Sequence, residues 1–217
     1  MIYSSERQLA ISGWLKENDQ SSFNISLKLQ KFLFFYESMS KVDGDDYDFR
    51  KLRGYKNGPV FSNVWGDYTK ERPSFDQKCD EVYTSKKDIV CVNRAKTVDF
   101  FIQTCTEHEL SEISHTMNIW KNKKERINSN EYQVDLDEND FSSEDTILIK
   151  NIEQLYPPEM IDKNKVIRCG DKIFILSNED YTKINPEQMD TLMELSNDST
   201  LENPVYVDID EGVLLID

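Results

Sequence analysis

Side chains that commonly carry out catalysis are sparse in this sequence. It contains only two histidines, His108 and His115, so a three-histidine metal site is impossible and any histidine-based triad would depend on one of these two residues. The sequence has no glycine-rich phosphate loop and no serine-hydrolase or zinc-protease motif. We therefore expect that the chain is not an enzyme and that it needs no cofactor.

The cysteines and one acidic segment are the other residues of the chain that could bind a metal ion. The cysteines are widely spaced and form no CxxC pair; they are Cys79, Cys91, Cys105 and Cys169. Cys91 and Cys105 share an apolar helical stripe, which predicts that both are small core residues. The segment from Asp135 to Asn139 resembles the start of a calcium-binding loop, but Asp140 stands where glycine is required and Thr146 stands where a bidentate glutamate is required. We expect no metal site, and interpret this segment as an exposed acidic loop.

Charge is distributed unevenly along the chain. Residues 1–126 carry 20 Lys/Arg against 19 Asp/Glu, whereas residues 127–217 carry 6 against 22, a net charge of −16. This acidic part should repel nucleic acid and anionic membranes and attract basic surfaces, or simply keep the protein in solution. A basic cluster beside Trp120 (Lys121, Lys123, Lys124 and Arg126) is typical of a solvated helix end, and we expect no nucleic-acid binding from it.

Hydrophobic periodicity predicts a mostly helical N-terminal part. A helix is expected over 5–17, followed by a loop over 18–22 and by a central helix capped by Ser26. The apolar residues of this central helix recur with helical spacing; they are Leu29, Phe32, Leu33, Tyr36 and Met39. Proline is favoured in the first helical turn, so the run from Asn57 to Pro59 predicts a helix start, and this helix should stop near Arg72-Pro73.

A long helix is predicted from Ser85 to Cys105, and a capping box then joins Thr106 to Glu109. The polar segment 128–145 is expected to be a linker or exposed loop, followed by one more helix ending before Pro157.

After residue 158 the pattern changes. A hairpin is predicted around Gly170-Asp171, a short helix from Asn185-Pro186 to Leu195, and a second hairpin around 210–212. The predicted fold is α+β, with a helical N-terminal domain (1–126) and a smaller acidic C-terminal part with β-hairpins (127–217).

No stretch of the sequence suggests a membrane segment. The longest apolar run, 32–36, has five residues, against the roughly 18 needed to span a bilayer. The first residues contain no basic segment followed by an apolar one, so no signal peptide is predicted. We expect a cytoplasmic protein.

Three segments stand in order along the chain: residues 26–35 (SLKLQKFLFF), 55–60 (YKNGPV) and 110–120 (LSEISHTMNIW). They resemble, in the same order, the LKLQKLLYF helix, the AWxxGPV motif and the LSxLTHxxxPW motif of the SocA-type antitoxin (Panacea domain) family. His115 and Trp120 stand at the family's five-residue separation. The resemblance covers about residues 5–126.

This resemblance implies a non-catalytic antitoxin. Its partner would be a toxin encoded by an adjacent gene, neutralised by occlusion or delivered to a host protease; related domains also occur in phage proteins. The candidate partner-binding residues are Gln30, Lys31, Tyr36, Tyr55, Gly58, Pro59, Val60, His115 and Trp120.

Each of these residues also has a structural interpretation that the sequence leaves open. Gln30 and Lys31 are either surface contacts or buried hydrogen-bonding groups. Gly58 and Pro59 are first a helix start, His115 can be a satisfied core residue, and Trp120 can be half-buried packing rather than an interface anchor.

Two other functions fit the sequence. The first is a phage-encoded acidic inhibitor that mimics DNA charge and occupies a nuclease or CRISPR effector groove. The second is a transcription regulator, which rests on the basic cluster after Trp120 and would need specific DNA binding by a protein with net charge −15.

Overall fold

A computed structural model describes residues 1–129, 131 and 133–216 of the chain. The N-terminal region is helical apart from a small sheet, and the C-terminal part contains a four-stranded sheet built around two hairpins. The α+β class predicted from the sequence is confirmed. Within the described residues, no helix is both long enough and apolar enough to cross a bilayer.

The helices and strands have the following bounds. The helices are α1 (Glu6–Asn18), α2 (Gln20–Phe23), α3 (Ser26–Asp43), α4 (Ser62–Lys70), α5 (Arg72–Ser85), α6 (Val92–Gln103), α7 (Glu107–Thr116), α8 (Asn118–Lys121), α9 (Lys124–Asn128), α10 (Ser143–Leu155), α11 (Pro158–Ile161), α12 (Asn178–Lys183) and α13 (Pro186–Leu195). The strands are β1 (Leu52–Tyr55), β2 (Gly58–Phe61), β3 (Val134–Asp135), β4 (Asn164–Cys169), β5 (Lys172–Ser177), β6 (Val205–Asp210) and β7 (Val213–Ile216).

Helix α3 is the centre of the main core. Every residue from Lys28 to Ser40 is buried, so the helix is enclosed on all sides rather than along one stripe. Aromatic rings bind it to its neighbours: Phe32 stacks on Trp14 of α1 at 5.9 Å, and Phe35 meets Phe101 of α6 edge-on at 4.9 Å. The prediction of a central helix is confirmed, but Ser26 is its first residue and makes no capping bond, since Ile25 occupies the N-cap.

Several predicted helix boundaries are wrong. The segment 18–22 is not a loop throughout, because α2 begins at Gln20 with the Asp19 side chain as its cap. By contrast, the helix expected to stop near Arg72-Pro73 does so, because α4 ends at Lys70 and Pro73 lies in the first turn of the next helix, α5. The helix expected from Ser85 to Cys105 is split by a 3₁₀ turn, so Cys91 precedes α6 and is exposed instead of lying in the core.

The prediction of a helix start at Asn57-Gly58-Pro59 is also wrong. Gly58 and Pro59 open β2, which pairs antiparallel with β1, and the following helix begins only at Ser62. Strand β2 is an edge strand in the order β2-β1-β3, and proline is tolerated at an edge because no ladder bond from its nitrogen is needed there.

The C-terminal strands form a second sheet in the order β4-β5-β6-β7. Both predicted hairpins are present, and β5 and β6 lie parallel, connected through α12 and α13. The predicted helix after Asn185 is α13, with a complete capping box. A small core on one side of this sheet includes Phe174, Leu192 and Val207.

The main hydrophobic core continues beyond residue 126. Ile127, Val134, Ile149, Ile152 and Tyr156 all belong to it. Within the segment expected to be a linker, β3 pairs with β1 and a 3₁₀ turn follows, while residues 130 and 132 lie outside the described residues. Helix α10 is present as predicted, although its residues Ile147 and Leu155 are exposed.

The crossing of α1 and α5 predicts a strong effect of one glycine. A Cβ atom at Gly13 would lie 2.5 Å from the Cys79 carbonyl oxygen and 2.6 Å from the Tyr83 Cβ, so Gly13→Ala should destabilise the fold by about 1–3 kcal/mol through overpacking. Gly66→Ala in α4 is the matched control, because its Cβ would meet nothing within 4 Å and alanine gains up to about 1 kcal/mol of helix propensity. Urea unfolding measures both; equal effects of the two substitutions would contradict the packing described here.

Candidate functional site

An open cavity of about 370 Å³ lies where the start of α3 faces the β1–β2 hairpin and α4. Most of its lining surface is apolar. Five of the residues predicted as partner contacts line it: Gln30, Lys31, Tyr55, Pro59 and Val60. The lining is completed by Ser26, Leu27, Lys56, Asn57 and Trp65.

Lys31 forms the floor of this cavity and is itself only 1 % exposed. Its ammonium donates hydrogen bonds to the Asn57 carbonyl oxygen at 2.6 Å and to Ser114 Oγ at 2.7 Å. Among the described residues no carboxylate forms an ion pair with it. Burial therefore lowers the pKa of Lys31 to about 7, because the charged form loses its hydration.

Gly58 is required next to this ammonium for two reasons. Its φ of 103° is in the left-handed region that favours glycine. In addition, a Cβ atom there would lie 2.1 Å from Lys31 Nζ and 2.4 Å from Ser114 Oγ. The glycine thus lets the hairpin turn approach the lysine closely enough for the Asn57 carbonyl oxygen to accept a hydrogen bond from the ammonium.

Gln30 fixes the second strand of the hairpin to α3. Its Oε1 accepts a hydrogen bond from the backbone N–H of Phe61 at 2.8 Å, at the point where β2 ends. Of the two roles that the sequence left open, the structure places Gln30 as a buried hydrogen-bonding group whose side chain also reaches the cavity wall.

His115 and Trp120 support the hairpin from behind and do not line the cavity. Trp120 is buried and its Nε1 donates to the Tyr55 carbonyl oxygen at 3.0 Å. The His115 ring stacks on the Trp120 ring at 4.0 Å. Burial lowers the pKa of His115, and the charge of Lys31 adds to this effect, while Glu112 opposes it from 3.3 Å. These two residues therefore position the hairpin.

Tyr36 is not brought together with the other predicted contacts. It is fully buried in the core, where its hydroxyl accepts a hydrogen bond from the Cys91 backbone N–H at 2.8 Å. The guanidinium groups of Arg7 and Arg94 lie near its ring, at 5.7 Å and 5.4 Å from the ring centre. Its role in this structure is to link α3 to the start of α6.

Trp65 is the most conspicuous cavity residue that the sequence analysis did not identify. It lies on α4 and is 38 % exposed. Asn57 was assigned to a helix start, which concealed the role of its carbonyl oxygen. Leu27 has the apolar character of the α3 core residues, so the sequence gives no signal that it borders the cavity.

Charged side chains of the acidic segment 135–139 and of the basic cluster after Trp120 form contacts within the chain. Asp135 forms an ion pair with Arg53, and Asp137 caps a 3₁₀ turn. In the basic cluster, Lys123 pairs with Asp140 at 2.7 Å and Arg126 with Glu131. Within residues 1–129, 131 and 133–216, no group of three or more His, Cys, Asp or Glu side chains is arranged to hold a metal ion.

No protein-family model matches the chain, and searches of curated proteins and of solved structures find no significant match.

The buried lysine predicts a pH dependence of stability. The unfolded chain keeps the Lys31 proton up to the ordinary lysine pKa near 10.5, whereas the folded chain releases it near 7. Folding therefore releases a proton at any pH between about 7 and 10.5. As pH increases from 7 to 9, the free energy of unfolding of the wild type should rise relative to that of Lys31→Met, by up to about 1.4 kcal/mol per pH unit. Urea unfolding at pH 6, 7, 8 and 9 measures the difference.

Lys56→Met, on the exposed turn above the cavity, controls for the loss of one positive charge. Wild-type and Lys31→Met stabilities that run parallel from pH 6 to pH 9 would show that the ammonium is not buried as described.

Proposed function

We propose that the chain is a non-catalytic binding protein that captures a partner protein at this cavity, as an antitoxin captures its toxin. The observation that carries the proposal is the convergence of the three segments that resemble the SocA-type antitoxin family. Lys31 from the first segment bonds to Asn57 in the second and Ser114 in the third, although these residues are far apart in sequence. Their meeting point is an open, apolar-lined cavity.

The size and lining of the cavity suit an inserted apolar side chain. A volume of about 370 Å³ is at the lower end of typical ligand pockets, and large anchor residues in such pockets carry much of the energy of protein–protein binding. Leu27, Val60 and Trp65 supply apolar contact surface, and the exposed turn at Lys56-Asn57 borders it. The proposed mechanism is occlusion: the partner is inactive while its anchor occupies the cavity.

Charge favours a basic partner. The excess of acidic residues after position 126 gives that part of the chain a net charge of −16, which should accelerate association with a basic surface and make the rate fall as salt is added. Because residues after 126 also complete the main core, this electrostatic contribution should be tested with charge substitutions at exposed positions rather than by truncation.

Trp65→Ala should separate folding from binding. The side chain is partly exposed, so its loss should leave the fold intact while weakening partner binding by about 30-fold, equivalent to about 2 kcal/mol for an interface anchor. Tyr206→Ala is the matched control, since Tyr206 is an exposed aromatic residue on β6 outside the cavity.

A growth assay tests this directly. The product of the adjacent gene is expressed alone and together with the wild type, Trp65→Ala or Tyr206→Ala, and its abundance is followed by immunoblot. We expect the product of the adjacent gene to arrest growth when it is expressed alone. The wild type and Tyr206→Ala should restore growth, and Trp65→Ala should not. Unchanged abundance of the neighbour indicates occlusion, whereas its disappearance indicates delivery to a protease. Full rescue by Trp65→Ala would contradict binding at the cavity.

A further inference from the structure

Strand β7 is an open edge of the C-terminal sheet. It pairs antiparallel with β6 on one side, and among the described residues no strand pairs with its other side. The opposite edge of the sheet differs, because Val166 of β4 packs against the main core and α11 lies beside this strand. No residue of β7 lines the cavity at Lys31, so this edge is separate from the candidate functional site.

The register of the β6–β7 hairpin indicates which backbone groups of β7 point away from β6. Both residues of the turn 211–212 have positive φ, 47° and 85°, as in the two-residue turns of tight hairpins, which close on a hydrogen-bonded pair. That pair is Asp210 and Val213. Hydrogen-bonded and non-hydrogen-bonded pairs alternate along an antiparallel ladder. The N–H and C=O groups of Leu214 and Ile216 therefore point outward, where another strand can pair with them.

The side chains of β7 make this edge apolar on both faces of the sheet. Leu214 and Ile216 are partly buried against the small core, whereas Val213 and Leu215 lie on the other face and are 61 % and 50 % exposed. Natural edge strands commonly carry a lysine, a proline or a bulge that prevents further pairing. Strand β7 as described contains none of these.

The surroundings of this edge are acidic. Residues 184–217 contain nine Asp or Glu and no Lys, Arg or His. Asp208 and Asp210 lie directly opposite Leu215 and Val213, which places them on the same face of the sheet, and both are exposed. Among the described residues neither forms an ion pair. The charge at this edge therefore favours a positively charged occupant.

A second copy of the chain does not meet this requirement. Pairing of two β7 strands would place two such segments side by side, each with nine acidic residues and no basic one, and like charges at close range repel each other. A strand from a basic protein would instead be attracted to the same edge.

We propose that β7 binds an extended segment of another protein, in which basic and apolar residues alternate, and that this segment adds to the sheet as a fifth strand. Its main chain pairs with the outward groups of Leu214 and Ile216. Because side chains alternate between the two faces, its apolar residues lie beside Leu214 and Ile216 and its basic residues beside Val213 and Leu215. The stems of the basic side chains cover these two exposed residues, and their charged ends extend towards the exposed carboxylates of β6.

Fluorescence anisotropy of labelled peptides with the full chain tests the proposal. The probe is an acetylated and amidated peptide of four Lys-Val repeats. One control has four Glu-Val repeats, and the other has four lysines followed by four valines, which keeps the composition and charge of the probe. We expect the probe to bind at least about tenfold more tightly than either control, because only the probe combines positive charge with the alternation of a strand. Equal binding of the probe and the block peptide would overturn the proposal.

Salt measures the electrostatic part of this binding. Between 0.15 M and 1 M salt the Debye length falls from about 8 Å to about 3 Å, so the affinity for the probe should fall at least about tenfold. An affinity unchanged by salt would contradict a role for the acidic surroundings of β7.

Methylation of the peptide backbone separates strand addition from attraction by charge alone. Methyl groups on the valine nitrogens remove the donors along one side of the extended peptide, and methyl groups on the lysine nitrogens remove those along the other side. Pairing with β7 uses one side only, so one methylated form should lose binding while the other keeps it. Retention of binding by both forms would overturn the proposal.

Leu215→Lys should fold but bind the probe at least about tenfold more weakly, because a positive charge on an edge strand opposes a basic partner. Met193→Lys makes the same change of charge at an exposed position on α13 and should bind nearly as the wild type does. Sedimentation of the wild type tests the other occupant, and we expect no self-association through β7. A dimer that Leu215→Lys dissociates would overturn the proposal by placing a second copy at this edge.

Discussion

The buried ammonium of Lys31 is the interaction on which the candidate site depends. A buried charge without hydrogen-bond partners would be strongly unfavourable. The acceptors of this ammonium lie on two other segments, at Asn57 and Ser114. One side chain of α3 thereby fixes the position of both the hairpin and α7. The low pKa of Lys31 records the cost of this burial.

Two further hydrogen bonds orient the β1–β2 hairpin and leave its apolar side open. Gln30 holds Phe61 from the α3 side, and Trp120 holds Tyr55 from behind, with His115 stacked against it. Because the polar groups of the hairpin are satisfied from these two directions, the face towards Leu27 and Trp65 is left for apolar contact. The same few residues thus stabilise the hairpin and leave the apolar face of the candidate site open.

The sequence predicted those elements whose signals are local. The capping box at Thr106 and the Asn185-Pro186 pair identify the starts of α7 and α13, and the turn residues identify both C-terminal hairpins. The prediction of a helix start from Asn57 to Pro59 is wrong because the local preference of proline for the first helical turn competes with a tertiary constraint. The hydrogen bond from Phe61 to Gln30 and pairing with β1 favour a strand there, and neither is visible locally.

The candidate site was predictable only in part for a related reason. A residue in a helix enclosed on all sides gives no periodic signal of where it points, so Tyr36 was grouped with Gln30 and Lys31 although it lies in the core. Trp65 was missed because an exposed aromatic residue has the same helical spacing as a buried one.

Site-specific photo-crosslinking tests the central claim, that a protein partner occupies the cavity at Lys31, most directly. A benzophenone side chain is placed at Val60, inside the cavity, or at Met193, an exposed position on α13, and cells that also express the adjacent gene are irradiated. The account predicts a covalent product with the neighbour's protein from position 60 and none from position 193. Crosslinking from position 193 alone would show that the partner binds the C-terminal part and would contradict the account.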